Sequence, residues 1–224
     1  MNFAEKGYWV AFNVCEGTGP LRFKLLLDYF GSAKKAYEAP VKELIKIGLG
    51  EKLVGKFEDF RKNFNLASYL VRVSQLGIET LILDDKDYPK LLREFQDSPP
   101  VIYVKADSLE SIFQKKAVAV VGTRLPTAYG RKVTEMIVEG LVSNGLVIVS
   151  GLARGVDKIA HETTLDNGGL TIGVLGCGLD KVYPPEHKSL VERIVQSGGA
   201  VISEFPLGMA AVPGNFPARN RIIS

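Results

Sequence analysis

Between residues 117 and 205, continuous apolar runs alternate with stretches whose apolar positions recur about every three to four residues. The runs AVAVVG (117–122), GLVIVSG (145–151), LTIGVLG (170–176) and AVISEF (200–205) predict strands buried on both faces. The stretches beside them predict helices over 128–143, 155–167 and 186–197. Strict alternation of this kind predicts an α/β fold built on a doubly wound parallel sheet. Residues 8–74 show almost no strand pattern and read as short helices, broken at EGTGP, FGS, EAP and IGLGEK. Between the two regions, IETLILDD and PPVIYVKAD read as short strands around KDYPKLLREF, with Pro89, Pro99 and Pro100 fixing turns. The expected organisation is a helical domain over 1–75, a connecting element over 76–112 and the α/β domain over 113–224.

A chain of 224 residues with 46% hydrophobic content can bury a core in each of two modest domains. The formal charge of +3 is too weak to identify a partner. Its excess lies in residues 1–75, with 12 Lys/Arg against 8 Asp/Glu, and fits a solvated helical surface as well as a phosphate-facing one. Cys15 and Cys177 stand far apart without Cys or His companions, so neither a zinc site nor a disulfide framework is indicated. The sequence has no basic region followed by an apolar run at its start, and no stretch near the roughly 18 apolar residues of a membrane span. A cytoplasmic protein is expected.

In an open parallel sheet, ligands bind beyond the carboxyl ends of the strands. Those positions read GTR (122–124), SGLARGVD (150–157), GCGLD (176–180) and SEFPLG (203–208). Backbone amides, the Thr123 and Ser150 hydroxyls, and Arg124 and Arg154 make this rim suited to anionic oxygens. A dinucleotide site is disfavoured, because the first loop lacks G-x-G-x-x-G and the second strand ends in Ser150-Gly151 instead of an acidic residue. Asp157 is expected in the first turn of its helix, with His161 packed at the rim. Cys177, with no histidine near it in sequence, reads as a small rim residue and Glu204 as structural.

In the helical region, CEGTGPLRFKLLLDYFG (15–31) and LIKIGLGEKLVGKFEDF (44–60) each place a Gly-x-Gly turn before an amphipathic helix. The spacing resembles a helix-hairpin-helix motif, in which outward amides and lysines such as Lys52 and Lys56 hold a nucleic-acid backbone. Equally, Gly17, Gly19, Gly48 and Gly50 serve simply to make compact turns.

The segments SGLARGVDKIAH, GVLGCGLDKVYPPEH and above all GNFPARNRIIS resemble the DNA-processing protein A family (DprA, also called Smf). The likeness runs over essentially the whole chain. It implies a sterile-alpha-motif-like helical domain, a linker at DDKDYPKLLREFQDSPPVIYVK, and an extended Rossmann-like domain that is C-terminally incomplete, since the sequence stops at RNRIIS. It further implies a non-enzymatic mediator that binds single-stranded DNA, shields it during natural transformation and helps load the RecA recombinase. Carried over by motif, the DNA-lining set comprises Gly122, Thr123, Arg124, Ser150, Gly151, Arg154, Gly155, Lys188, Asn215, Phe216, Arg219, Asn220 and Arg221. Phe216 is expected to stack on a base, or else to be a core side chain, with Arg219 and Arg221 neutralising phosphates. No catalytic residue, metal or cofactor is expected, and self-association is left open by the point at which the sequence stops. The competing readings are a nucleoside-monophosphate phosphoribohydrolase, whose Pro-Gly-Gly-x-Gly-Thr turn is missing here, and a protein-docking module formed by the helical region.

Overall fold

The structure, a computed structural model, describes residues 3–108 and 112–224. Two compact units emerge, one of residues 1–76 with 80–101 and one of 77–79 with 102–224. The stretch 76–112, expected as a connector, is thus shared between them.

The first unit carries helices α1 (Phe3–Val14), α2 (Pro20–Phe30), α3 (Ala33–Glu38), α4 (Val41–Lys46), α5 (Glu51–Asn63), α6 (Leu66–Gln75) and the single turn α7 (Lys90–Arg93). Their ends are fixed locally. Ser32 Oγ accepts the Lys35 amide at 3.2 Å at the start of α3, and Asn65 Oδ1 accepts the Ser68 amide at 2.9 Å at the start of α6. The Glu5 carboxylate of α1 accepts the Ala33 and Lys34 amides, tying α1 to the start of α3. An aromatic core joins them: Phe12 stacks on Phe57 with centroids 5.1 Å apart, and Trp9 meets the edge of Phe23 at 4.8 Å. Gly17 lies against Leu53 of α5, and Arg22 donates to the Gly17 carbonyl at 2.7 Å, so the first glycine turn packs on the start of α5.

The strand β1 (Glu79–Ile82) straddles the division of the units. The second unit is built on β2 (Val101–Ala106), β3 (Ala117–Ala119), β4 (Val147–Ser150), β5 (Thr171–Val174) and β6 (Ala200–Ser203), arranged in the order β2-β6-β5-β4-β3. β3 to β6 run parallel, with Ala117 opposite Val147, Ile148 opposite Thr171, and Ile172 opposite Ala200. β2 runs antiparallel to β6, pairing Tyr103 with Ser203. β2, read in the sequence as part of a connecting element, joins this sheet antiparallel because the strand–helix alternation that imposes a parallel sense begins only after it.

The helices α8 (Ala128–Ser143), α9 (Val156–Asp166) and α10 (Lys188–Gln196) follow the strands as the apolar periodicity predicts. The Thr127 hydroxyl accepts the Gly130 amide at 3.1 Å and starts α8. Val138 of α8, Ile148 of β4 and Ala160 of α9 form a buried cluster, flanked by Val120, Leu141 and Val142. A further helix, α11 (Asn215–Ile223), closes the unit. β3 lies at the sheet edge, and Leu125, Tyr129 and Met136 beyond it are exposed. Among the described residues no helix is long and apolar enough to cross a membrane.

His161 corrects an expectation. It is fully buried on α9, not at the rim, with Nδ1 2.7 Å from the Thr171 hydroxyl of β5, which itself donates to the Ile148 carbonyl. The apolar periodicity of α9 turns position 161 inward. Burial pulls the imidazole pKa down from 6.5 to about 3, helped by the nearby Arg219 charge and the His187 ring. The unfolded chain therefore binds a proton that the folded chain rejects, and the stability present above about pH 6.5 is lost as pH falls towards 3. Urea unfolding over this range is expected to show an acid limb approaching about 1.4 kcal/mol per pH unit from this residue, which His161→Gln flattens.

Candidate functional site

The loops leaving β3, β4 and β5 meet the start of α11 in one cleft, lined by Arg124, Gly151, Arg154, Tyr183, Phe216 and Arg219, with Ala153, Gly176 and Pro184 between them. Ser150 and Gly155 hold the first two loops together. The Ser150 hydroxyl donates to the Val120 carbonyl at 2.6 Å, and the Val156 amide donates to the Thr123 carbonyl at 3.1 Å. Gly155 has φ of 79°, and a side chain there would strike the Arg124 backbone at 2.6 Å. Gly122 abuts Val156 in the same way, so the GTR turn is seated on the first turn of α9.

Asp157 shapes the second loop. Its Oδ2 accepts the amides of Gly151 at 3.1 Å and Ala153 at 3.3 Å. Burial pushes its pKa up, while those amides and the Arg219 charge pull it down. Leu152, between the two amides, sits in the left-handed region at φ 54° with its side chain fully buried against Gly173. The His187 Nδ1 donates to the Leu152 carbonyl at 2.9 Å, which holds this strained residue in place.

Arg219 lies beneath the cleft. It is 5% exposed, and its guanidinium donates to the carbonyls of Gly151 and Val174. Burial pulls its pKa down, opposed by the Asp157 carboxylate. Gly151 makes room for it, since a Cβ there would stand 2.6 Å from the Arg219 Cζ. Asn215 pins the start of α11 by donating to the Gly176 carbonyl at 3.0 Å and the Ala210 carbonyl at 3.2 Å.

Phe216 projects next to Gly176, half-buried. The Arg124 guanidinium lies over its ring, 5.6 Å from the centroid, and the Tyr183 ring stands 5.8 Å away at 47°. Arg154 pairs with Glu186 at 2.6 Å, each pulling the other towards its charged form.

The remaining expected residues fall outside this lining. Arg221 is paired with Glu204, both largely buried. Asn220 is exposed and accepts from Arg219 Nε at 3.3 Å. Lys188 is exposed at the start of α10. Gly122 and Thr123 frame the Arg124 turn. Burial pushes the Cys177 thiol up to about 11, and it donates to the Lys181 carbonyl at 2.6 Å, so it is a neutral thiol in a closed turn. Among the described residues no group of His, Cys, Asp and Glu could hold a metal ion. Tyr183 was missed by the loop-by-loop reading, although it lies in the VYPPEH stretch of the family likeness; an aromatic nine residues past the carboxyl end of β5 was the available signal.

Residues 79–224 match the family model described as DNA recombination-mediator protein A. The chain belongs to this family. It is 42% identical to Protein Smf of Synechocystis, over 99% of its own length and 56% of the relative's. It matches the X-ray structure of DNA processing protein A from Streptococcus pneumoniae with a TM-score of 0.79 and 33% identity, covering 97% of this chain and 74% of that one. A DprA structure from Helicobacter pylori, described for its single-stranded DNA binding mode, matches with a TM-score of 0.57 and 35% identity, over 65% of this chain and 64% of that one. The chain spans roughly a third to two thirds of the length of the curated relatives it matches. DprA/Smf membership agrees with the α/β sheet and helical N-terminal region described above.

Gly151→Ala is expected to force the Arg219 guanidinium out of place and to lower stability by about 1–3 kcal/mol, read as a shift in the urea midpoint. Gly214→Ala, where nothing lies within 4 Å of the added methyl, should leave the midpoint unchanged.

Proposed function

We propose that this chain binds single-stranded DNA across the cleft at the carboxyl ends of β3, β4 and β5, and acts as a recombination mediator that shields the strand and delivers it to RecA. The observation that carries this reading is the Arg124–Phe216 pair: a guanidinium and an aromatic ring share one exposed edge, offering a phosphate contact and a stacking face within 5.6 Å. Membership of a recombination-mediator family and the single-stranded DNA binding described for the Helicobacter pylori relative support it.

A flexible polyanion presents phosphates and bases in succession, which suits a cleft whose cations sit on separate loops. In this reading Arg124 and Arg154 meet phosphates, Phe216 with Tyr183 meets a base, and Arg219 works from beneath by holding the β4 and β5 loops. Side chains that hydrolysis would call on have other duties. Asp157 is taken by two amides, His161 is sealed in the core, and Cys177 is a neutral thiol. Binding without chemical change is the function these groups support.

Fluorescence anisotropy with labelled oligothymidine tests the reading. The log of affinity should fall with log salt at about −0.7 per neutralised phosphate. Arg124→Ala should weaken binding to all sequences alike and flatten that slope by about 0.7. Phe216→Ala should cost about 1–3 kcal/mol with the slope retained. Binding indifferent to salt and to both changes contradicts the proposal. For delivery, RecA assembly on oligothymidine coated with a single-strand binding protein should quicken when this protein is added; an unchanged rate contradicts that part.

A further inference from the structure

We propose that Glu186 is a built-in competitor for DNA phosphate: its carboxylate holds the Nε of Arg154 that a phosphate of the bound strand takes over, which limits the grip of the cleft and speeds release. The inference rests on the single-stranded DNA reading above.

Arg154 stands on the loop between β4 and α9, and Glu186 on the 3₁₀ turn Pro185–His187 that leads into α10. The fold brings these elements together so that Nε and Oε1 meet at 2.6 Å beside the cleft. The guanidinium Nε–H donates equally well to a carboxylate or a phosphate oxygen, so the two anions are interchangeable there. Exchange is easy, because the side chains are 56% and 51% exposed, so little desolvation opposes it. An exposed pair of this kind adds little to folding; its position beside the cleft acts on an incoming anion instead.

The other arginines make the contrast. Arg221 and Glu204 are 23% and 13% exposed, and separating them would strand a charge in the interior. Arg219 is locked onto two carbonyls. Among the described residues Arg124 has no carboxylate within ion-pair distance, so it is the standing cation of the rim. Arg154 is the one whose charge is held in reserve. A strand that must displace Glu186 before it can use Arg154 is held less tightly, which favours a strand that must be passed on.

The test is oligothymidine anisotropy on the full chain for the wild type, Glu186→Gln, Arg154→Ala and the double variant, with urea midpoints confirming the fold of each. Glu186→Gln should bind about threefold to tenfold more tightly, with a salt slope steeper by up to about 0.7. In the Arg154→Ala background the same change should bring little or no gain. Unchanged or weaker binding by Glu186→Gln, while the wild type still binds in a salt-dependent way, overturns the competitor and spares the DNA reading. A gain that persists without Arg154 also overturns it, since Glu186 would then act by simple repulsion. Failure of the wild type to bind the oligonucleotide removes both proposals together.

Discussion

Arg219 is 5% exposed, and a guanidinium taken out of water is tolerated only where its donors meet acceptors and its charge meets an opposite one. Both conditions hold here. The acceptors are the carbonyls of Gly151, just past β4, and Val174, the last residue of β5, so one side chain from α11 bridges the ends of two neighbouring strands. The charge is balanced by Asp157, which itself gathers the Gly151 and Ala153 amides. The β4 loop is thereby held from both sides, by a carboxylate on its amides and a guanidinium on its carbonyl.

From that clamp follows the arrangement above it. Gly151 must lack a side chain so that the guanidinium can lie against it, and Leu152 accepts a left-handed backbone because the loop is fixed on either side. α11, anchored by Arg219 and Asn215, sets Phe216 beside Gly176 and under Arg124. The arginines thus divide into a buried one that organises, a paired one that braces α11 against Glu204, and two that face the cleft. In the proposed reading, affinity for single-stranded DNA depends on the exposed pair, while the shape of the cleft depends on the buried one.

Much of this was legible in the sequence, for physical reasons that can be named. The apolar runs from 145 to 205 give parallel strands buried on both faces, where no polar positions are left, while the run at 117 gives the edge strand β3, which is largely exposed and not buried as its composition predicts. The loops after the strands locate the cleft by topology alone. The helix α8 follows its expected span of 128–143 because Thr127 caps it. Burial was harder to read. Arg219 and Arg221 look alike in NFPARNR, yet two positions on a helix differ by about 200° in direction, and one points into the core while the other meets Glu204. His161 was misjudged in the same way, being polar in type but placed on the inward face of α9. The pairing of Arg154 with Glu186 across 32 positions, and the approach of Tyr183 to Phe216, come from tertiary packing that no local pattern encodes.

In the proposed reading Arg219 is a scaffold and not a ligand for phosphate. A crystal structure of the chain with bound oligothymidine tests this most directly. Arg219 should still donate to the Gly151 and Val174 carbonyls, with phosphates at Arg124 and Arg154 and a base against Phe216. A phosphate seated on the Arg219 guanidinium, with those carbonyl bonds broken, would contradict it.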